Sequence, residues 1–359
     1  MDDTNFAWAH IGRAAFPEAV KRTVLQFYPD PLEALHADLS ALSGQARADC
    51  ATGPTLASRC DPRMVAQDTQ WLDQAQRSVI GLTDPLFPSL LGEISCPPTV
   101  LYCEGDSALL REPALAIVGS RNPTPVGAEL AHAFAMELSA SGIVVVSGLA
   151  LGIDSAAHRG ALKASGPTIA VCATGLDTVY PRTHQRLARQ VTATGLTLSE
   201  FPPGTGVRRH HFPQRNRIIS GLSLGTLVVE AAGGSGSLIT AGFAADQGRE
   251  VFAIPGSVHS PLSRGPHQLI RDGACLVESV QQILQALPLP QKALKPAQCA
   301  EKPPSWCSTA LTAIDFAPTS VNLIAKRSGL TISDLCAMLI RMELAGLVRS
   351  CRGGFIRLN

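Results

Sequence analysis

The run HHFPQRNRIISGLS, His210 to Ser223, sets Phe212 beside Arg215, Asn216 and Arg217. An aromatic face stacks on a nucleobase, and a planar guanidinium offers paired N–H donors to phosphate oxygens. Arg208, Arg209 and two histidines stand next to it, so a basic cluster interrupts an otherwise nearly neutral chain. The chemistry such a set supports is capture of a polyanion that also carries rings. Arginines spaced this way equally serve as salt bridges on an ordinary helix, and the glycine-rich segments elsewhere decide between the two readings.

Four such segments end apolar runs. Gly119-Ser120-Arg121 precedes NPTPVG and a helix. The glycine lets backbone amides approach a phosphate, the helix start adds partial positive charge, and Arg121 adds a full one. The pattern is not G-x-G-x-x-G, so a dinucleotide fingerprint is absent. In SGLALGIDSAAH, Gly148 and Gly152 permit a close turn. Asp154 and His158 follow at i and i+4, as an acid–base or metal pair or, more simply, as a cap and an exposed histidine. In ATGLDTVYPRTH, Gly175 again allows backbone approach, and Asp177 either braces the turn or meets a ribose hydroxyl. Arg182 there, together with Lys163, extends a basic track along the sheet edge. GTLVVEAAGGSGSLITA supplies a second amide-rich cradle at Ser235-Gly236-Ser237, and Glu230 as a general base or a buried hydrogen-bonding group.

The elements that position these loops are short and β-rich: 115–119, 143–148, 168–175, 196–200, 225–231, 251–256 and 274–279. Segments of helical length separate most of them. Continuous apolar strands alternating with helices predict an α/β fold, a mainly parallel sheet with helices on both faces. Ligands in such folds bind beyond the carboxyl ends of the strands. Residues 1–75 read as a small helical N-terminal domain, with Phe6, Ala9, Val20, Val24, Leu25, Leu32, Leu35, Leu39 and Leu42 on inner faces. A bridging segment rich in turn signals leads into the sheet domain, 76–287. A Pro/Lys-rich linker covers 288–305, and 306–359 has a winged-helix profile. In that profile Thr331 or Ser333 caps a helix whose apolar face is Leu335, Leu339 and Leu344.

Composition sets the outer bounds. The 359 residues allow two or three units, and 45% hydrophobic with 16% charged residues excludes disorder for most of the length. A net charge of +1 means that any polyanion site is a local patch. The ten cysteines are scattered, with no C-x-x-C pair and no zinc-ligand histidine spacing, which predicts reduced thiols and no metal. No cofactor motif or placed catalytic nucleophile is present. GIVVVSGLALGI is too short and glycine-broken for a membrane span, and MDDTNFAWAH is no signal peptide, so a cytoplasmic location is expected.

Taken in order, AIVGSR, SGLALGID, GLDTVYP, SEFPPG, FPQRNRIISGLS, VVEA, SGSLITA, GREVFAIPG and LIRDGA cover most of 84–279. On these blocks the chain resembles the DNA-processing protein A family (DprA, also called Smf). The resemblance implies an extended Rossmann-like domain that binds single-stranded DNA without sequence preference. It further implies a homodimer that loads the recombinase RecA during natural transformation, displacing single-strand-binding protein. Carried over by motif, the site comprises Gly119, Ser120, Arg121, Phe212, Arg215, Asn216 and Arg217, with Arg182 and Arg208 at positions the family often makes basic. The chain departs from the family at IGRAAFPEA, which lacks the usual Gly-Ile-Gly, at His184 and at Gly265-Pro266-His267. Two rival functions stand beside this one. GTLVVEAAGG loosely resembles the G-G-x-G-T-x-x-E motif of nucleotide phosphoribohydrolases, in which Glu230 and Arg121 would cleave an N-glycosidic bond. There, however, the double glycine comes before the glutamate and here it follows. The third reading is an interaction scaffold, its winged helix contacting protein because KRSGLTISDLCAMLIR carries few basic side chains.

Overall fold

A computed structural model describes residues 3–39, 55–288 and 305–358. The linker read from the sequence at 288–305 lies almost wholly outside the described residues. Two compact units form, one of Met1–Pro123 with Leu130–Lys295, the other of Pro296–Asn359 with Thr124–Glu129.

In the first unit the strands are β1 (Arg77–Gly81), β2 (Val100–Gly105), β3 (Ala114–Val118), β4 (Val144–Ser147), β5 (Thr168–Val171), β6 (Leu196–Ser199), β7 (Gly225–Val228), β8 (Glu250–Ala253) and β9 (Cys275–Leu276). They form one sheet in the order β1-β2-β6-β5-β4-β3-β7-β8-β9. From β6 to β9 every pairing is parallel, while β2 runs antiparallel to both β1 and β6. The order β5-β4-β3-β7-β8-β9 is that of two mononucleotide-binding halves, and its direction reverses between β3 and β7.

Each of the seven expected strands is present. The bridging segment differs from expectation, because it contains β1 and β2 as a sheet extension. Side chains alternate across these two strands. Ile80, Leu101 and Cys103 join the main core with Val118, Val146, Ile169 and Leu198. Val79, Val100 and Tyr102 face the other way, into a core built from Trp8, Ile11, Val24, Leu25, Leu35 and Trp71. The N-terminal helices Asp3–Arg13, Glu18–Phe27, Pro31–His36 and Pro62–Leu72 thus share a core with the sheet extension. Phe6 and Leu32, expected inward, are exposed, whereas Ala9, Val20, Val24, Leu25, Leu35 and Leu39 are buried, and Leu42 lies outside the described residues. Asn5 reaches the outermost strand, where its Oδ1 accepts the Val79 amide at 3.2 Å.

The second unit has its own core of Leu311, Ile314, Ile324, Leu335, Leu339, Met342 and Val348. Thr331 caps the helix Ile332–Leu344 by accepting the Asp334 amide, and β10 (Val348–Cys351) pairs antiparallel with β11 (Gly354–Arg357). Leu344 is 85% exposed, and Met342 takes the inward place expected of it. Helical geometry explains the change, since 335, 339 and 342 follow the i, i+4, i+7 stripe and 344 does not. No helix among the described residues is long and apolar enough to cross a membrane.

An ion pair locks the N-terminal helices in place. Arg13 donates from Nε and Nη2 to the two oxygens of Asp68, at 2.8 and 2.6 Å, and Tyr102 adds its hydroxyl at 3.3 Å. Nη2 also reaches the Pro203 carbonyl at 2.6 Å. Asp68 is fully buried, so removing it strands a guanidinium. Asp68→Ala should cost about 3–5 kcal/mol in a urea melt, and a loss under about 1 kcal/mol would show the pair to be dispensable.

Candidate nucleic-acid interface

A cleft of about 530 Å³ opens at the carboxyl ends of β3 and β7, where the strand order reverses. Its first wall is the turn Gly119-Ser120-Arg121 that ends β3. The turn is held from two sides, with the Ser120 amide donating to the Glu230 carbonyl at 2.6 Å and the Ile153 amide donating to the Ser120 carbonyl at 3.1 Å. Gly152 makes the second contact possible. Its φ is +80°, and a Cβ there would meet the Ser120 carbonyl oxygen at 2.3 Å.

The second wall is the helix His211–Gly221. Phe212, Arg215, Asn216 and Ile219 line the cleft at the i, i+3, i+4, i+7 spacing of a single helical face. The third wall is the loop 232–235 with the start of the helix Gly236–Asp246, whose cap Ser235 accepts the Ser237 amide. Asn216 ties these walls together by donating to the Gly236 carbonyl at 3.2 Å. At the mouth the Arg121 guanidinium sits 5.3 Å from the Phe212 ring centroid. Tyr180, 44% exposed, meets the same ring edge-on at 5.5 Å. Two rings set edge to face and a guanidinium therefore gather in one cluster.

Beneath the mouth lies a buried polar layer. Arg215 is 4% exposed and donates from Nη1 to the Val171 carbonyl at the end of β5. Gly148 provides its space, since a Cβ there would lie 2.0 Å from Nη1. Asp154 Oδ2 accepts the amides of Gly148 and Ala150 at 3.1 and 3.4 Å. Burial pushes the Asp154 carboxyl up, against the pull of Arg215 and those amides. Burial likewise pulls the Arg215 guanidinium down, against Asp154.

The residues singled out from the sequence thus separate. Gly119, Ser120, Arg121, Phe212, Arg215 and Asn216 come together in the cleft, with Gly148 under its floor. Arg217 points away and bonds Glu200, which fits the salt-bridge reading. Gly175 packs against Pro202 and Asp177, and Asp177 braces the turn by accepting the Gly204 amide at 2.8 Å. Arg182 and Arg208 are exposed outside the cleft lining, and Lys163 lies at the end of the helix Ile153–Lys163 farthest from the cleft. Glu230 is not in the lining either. Of the two departures that carry a histidine, His184 is buried against the Leu149 carbonyl at 2.9 Å, and His267 meets Gly256. Tyr180 went unassigned as a contact residue, since only the tertiary fold brings its loop to Phe212.

His158 differs most from expectation, being fully buried. Thr168 donates its hydroxyl to the Val145 carbonyl at 2.6 Å and so accepts from His158 Nδ1 at 2.8 Å. That arrangement leaves Nε2 unprotonated, buried and unbonded.

A family model described as DNA recombination-mediator protein A matches residues 78–288, and one described as the DprA winged helix domain matches 307–354. Protein Smf of Escherichia coli (strain K12) is 40% identical over 297 residues, 80% of this chain and 79% of that protein. The chain belongs to the DprA/Smf family. Among solved structures, the X-ray structure of DNA processing protein A from Streptococcus pneumoniae superposes with a TM-score of 0.69 at 36% identity, covering 81% of this chain and all of that one. DNA processing protein A from Helicobacter pylori, solved for its single-stranded DNA binding mode, matches 55% of this chain and 91% of its own at a TM-score of 0.52 and 32% identity.

The buried histidine has a measurable consequence. Burial first, and Arg215 next, pull His158 down from 6.5 to about 3. Within that window the unfolded chain binds a proton that the folded chain refuses, so stability is full above the window and falls as pH drops through it. His158→Gln should flatten the acid dependence of unfolding by up to about 1.4 kcal/mol per pH unit. Thermal or urea melts at several pH values check this, and parallel pH profiles for the two proteins would refute it.

Proposed function

We propose that this chain binds single-stranded DNA without sequence preference in the cleft between β3 and β7. The observation that carries the reading is the Arg121–Phe212 contact at its mouth, where a guanidinium and an aromatic face share one opening. Phosphates meet Arg121 and the backbone amides, while bases stack on the Phe212 and Tyr180 surface, a mode that tolerates any base because every base has a π-face. That the Helicobacter pylori relative binds single-stranded DNA supports the reading. The role is binding rather than catalysis. The glycosidase alternative would use the Glu230 carboxylate, whereas in the turn that carries Arg121 Glu230 contributes its carbonyl, which accepts the Ser120 amide at 2.6 Å. We further propose that the protein acts in the cytoplasm as a homodimer whose two clefts bind one strand with avidity, protecting it, displacing single-strand-binding protein and loading RecA during natural transformation.

Fluorescence anisotropy with an oligothymidylate tests the binding step. Phe212→Ala should weaken affinity by about 1–3 kcal/mol, and Arg121→Ala should also lower the slope of log affinity against log salt by about 0.7. Arg217→Ala, which breaks the Glu200 pair, should affect stability more than the salt slope. Unchanged affinity and slope in both cleft variants would remove the proposal. RecA loading is read separately, as faster RecA filament growth on strands pre-coated with single-strand-binding protein.

A further inference from the structure

Arg215 is a buried cation whose partners are incomplete. Among the described residues none of the salt bridges engages it, and its buried Nε has no hydrogen-bond partner. Asp154 influences it from a distance but directs Oδ2 to the amides of Gly148 and Ala150. An unpaired buried charge is costly unless something completes it. Arg215 lines the cleft, so an anion seated there lies close to its charge.

The opposite wall has the chemistry of an anion receptor. The eleven-residue helix Gly236–Asp246 starts at the cleft, after the loop Gly233-Gly234-Ser235. A Cβ built on Gly233 or Gly236 would meet no atom within 4 Å, so protein packing does not demand glycine at these two positions, while Gly234 between them has φ +80°. Their bare backbone faces open cleft, where a ligand could approach the amides closely. Charge favours an anion, since Arg121 and Arg215 outweigh Asp154 in the lining. An internal phosphodiester has two free oxygens and one charge. A phosphomonoester has three such oxygens and close to two charges, and it ends a strand, so no chain need continue past it inside the cleft.

We propose that this cleft is a receptor for a phosphomonoester, either the terminal phosphate of a DNA strand or a free nucleoside monophosphate. The inference rests on the cleft being the single-strand site and specifies which part of the strand it seats most deeply. Arg215 and the amides from Gly233 to Ser237 hold the phosphate, while Phe212 and Tyr180 stack the adjoining base.

The full chain is titrated by anisotropy against short oligothymidylates bearing a hydroxyl or a phosphate at the 5′ end, and separately at the 3′ end. Thymidine, thymidine monophosphate and inorganic phosphate serve as competitors. One phosphorylated end should bind at least about tenfold tighter than its hydroxyl counterpart. Thymidine monophosphate should displace it while thymidine does not. Displacement by the monophosphate without an end preference assigns the receptor to the free nucleotide; an end preference assigns it to the strand. Equal affinities for all ends with no displacement overturn the proposal, and the single-strand reading survives that result if the hydroxyl oligomers bind. If they do not bind, both readings fall. Gly236→Val fills the cradle without a clash and should keep the melting temperature but abolish phosphate discrimination. Arg215→Lys should reduce it. Discrimination that persists in Gly236→Val places the receptor elsewhere and overturns the assignment.

Discussion

A guanidinium withdrawn from water organises the carboxyl rim of this sheet. Arg215 passes through space that only the missing side chain of Gly148 leaves open, and it reaches the carbonyl that ends β5. Its helix is thereby pinned to the ends of two strands. Phe212 and Asn216 lie on the same helical face and inherit that position, so the stacking surface is preorganised. Burying such a charge costs several kcal/mol after relaxation. Structural economy alone would not favour it, and under the binding role proposed above Arg215 is the base of a site for anions.

The near-neutral total charge conceals how the arginines divide. Arg13, Arg77, Arg217 and Arg249 bind carboxylates within the first unit. Arg121, Arg182 and Arg208 are exposed and make no salt bridge among the described residues. Internal pairing neutralises those four, while Arg121 is left uncovered at the cleft. A chain of this composition can therefore present a cationic groove without a cationic surface, which limits indiscriminate attraction to other polyanions.

The parallel strands were legible because they are buried on both faces and read as unbroken apolar runs. β1 and β2 were not, because Asp84-Pro85, Phe87-Pro88 and Pro97-Pro98 crowd the interval between them and mask two short alternating stretches. Within the site, residue types were legible before directions were. Phe212, Arg215 and Asn216 belong together once the helix is known to begin at His211, and the same 100° step turns Arg217 toward Glu200. His158 read as exposed because it follows a loop, yet it sits on the face of its helix that packs against β4 and β5 through Thr168. Tyr180 has no local signal at all. Its partner lies thirty-two positions along the chain, and only the order of the strands unites them.

Nine strands side by side create a hazard that the two outer strands contain. At one margin, Asn5 occupies the Val79 amide, so a carboxamide stands where a foreign backbone would otherwise dock. At the other, β9 is only two residues long and offers almost no ladder to copy. Both margins of a broad, apolar, β-branched sheet thus carry features that disfavour strand addition, without the sheet needing to curl into a barrel.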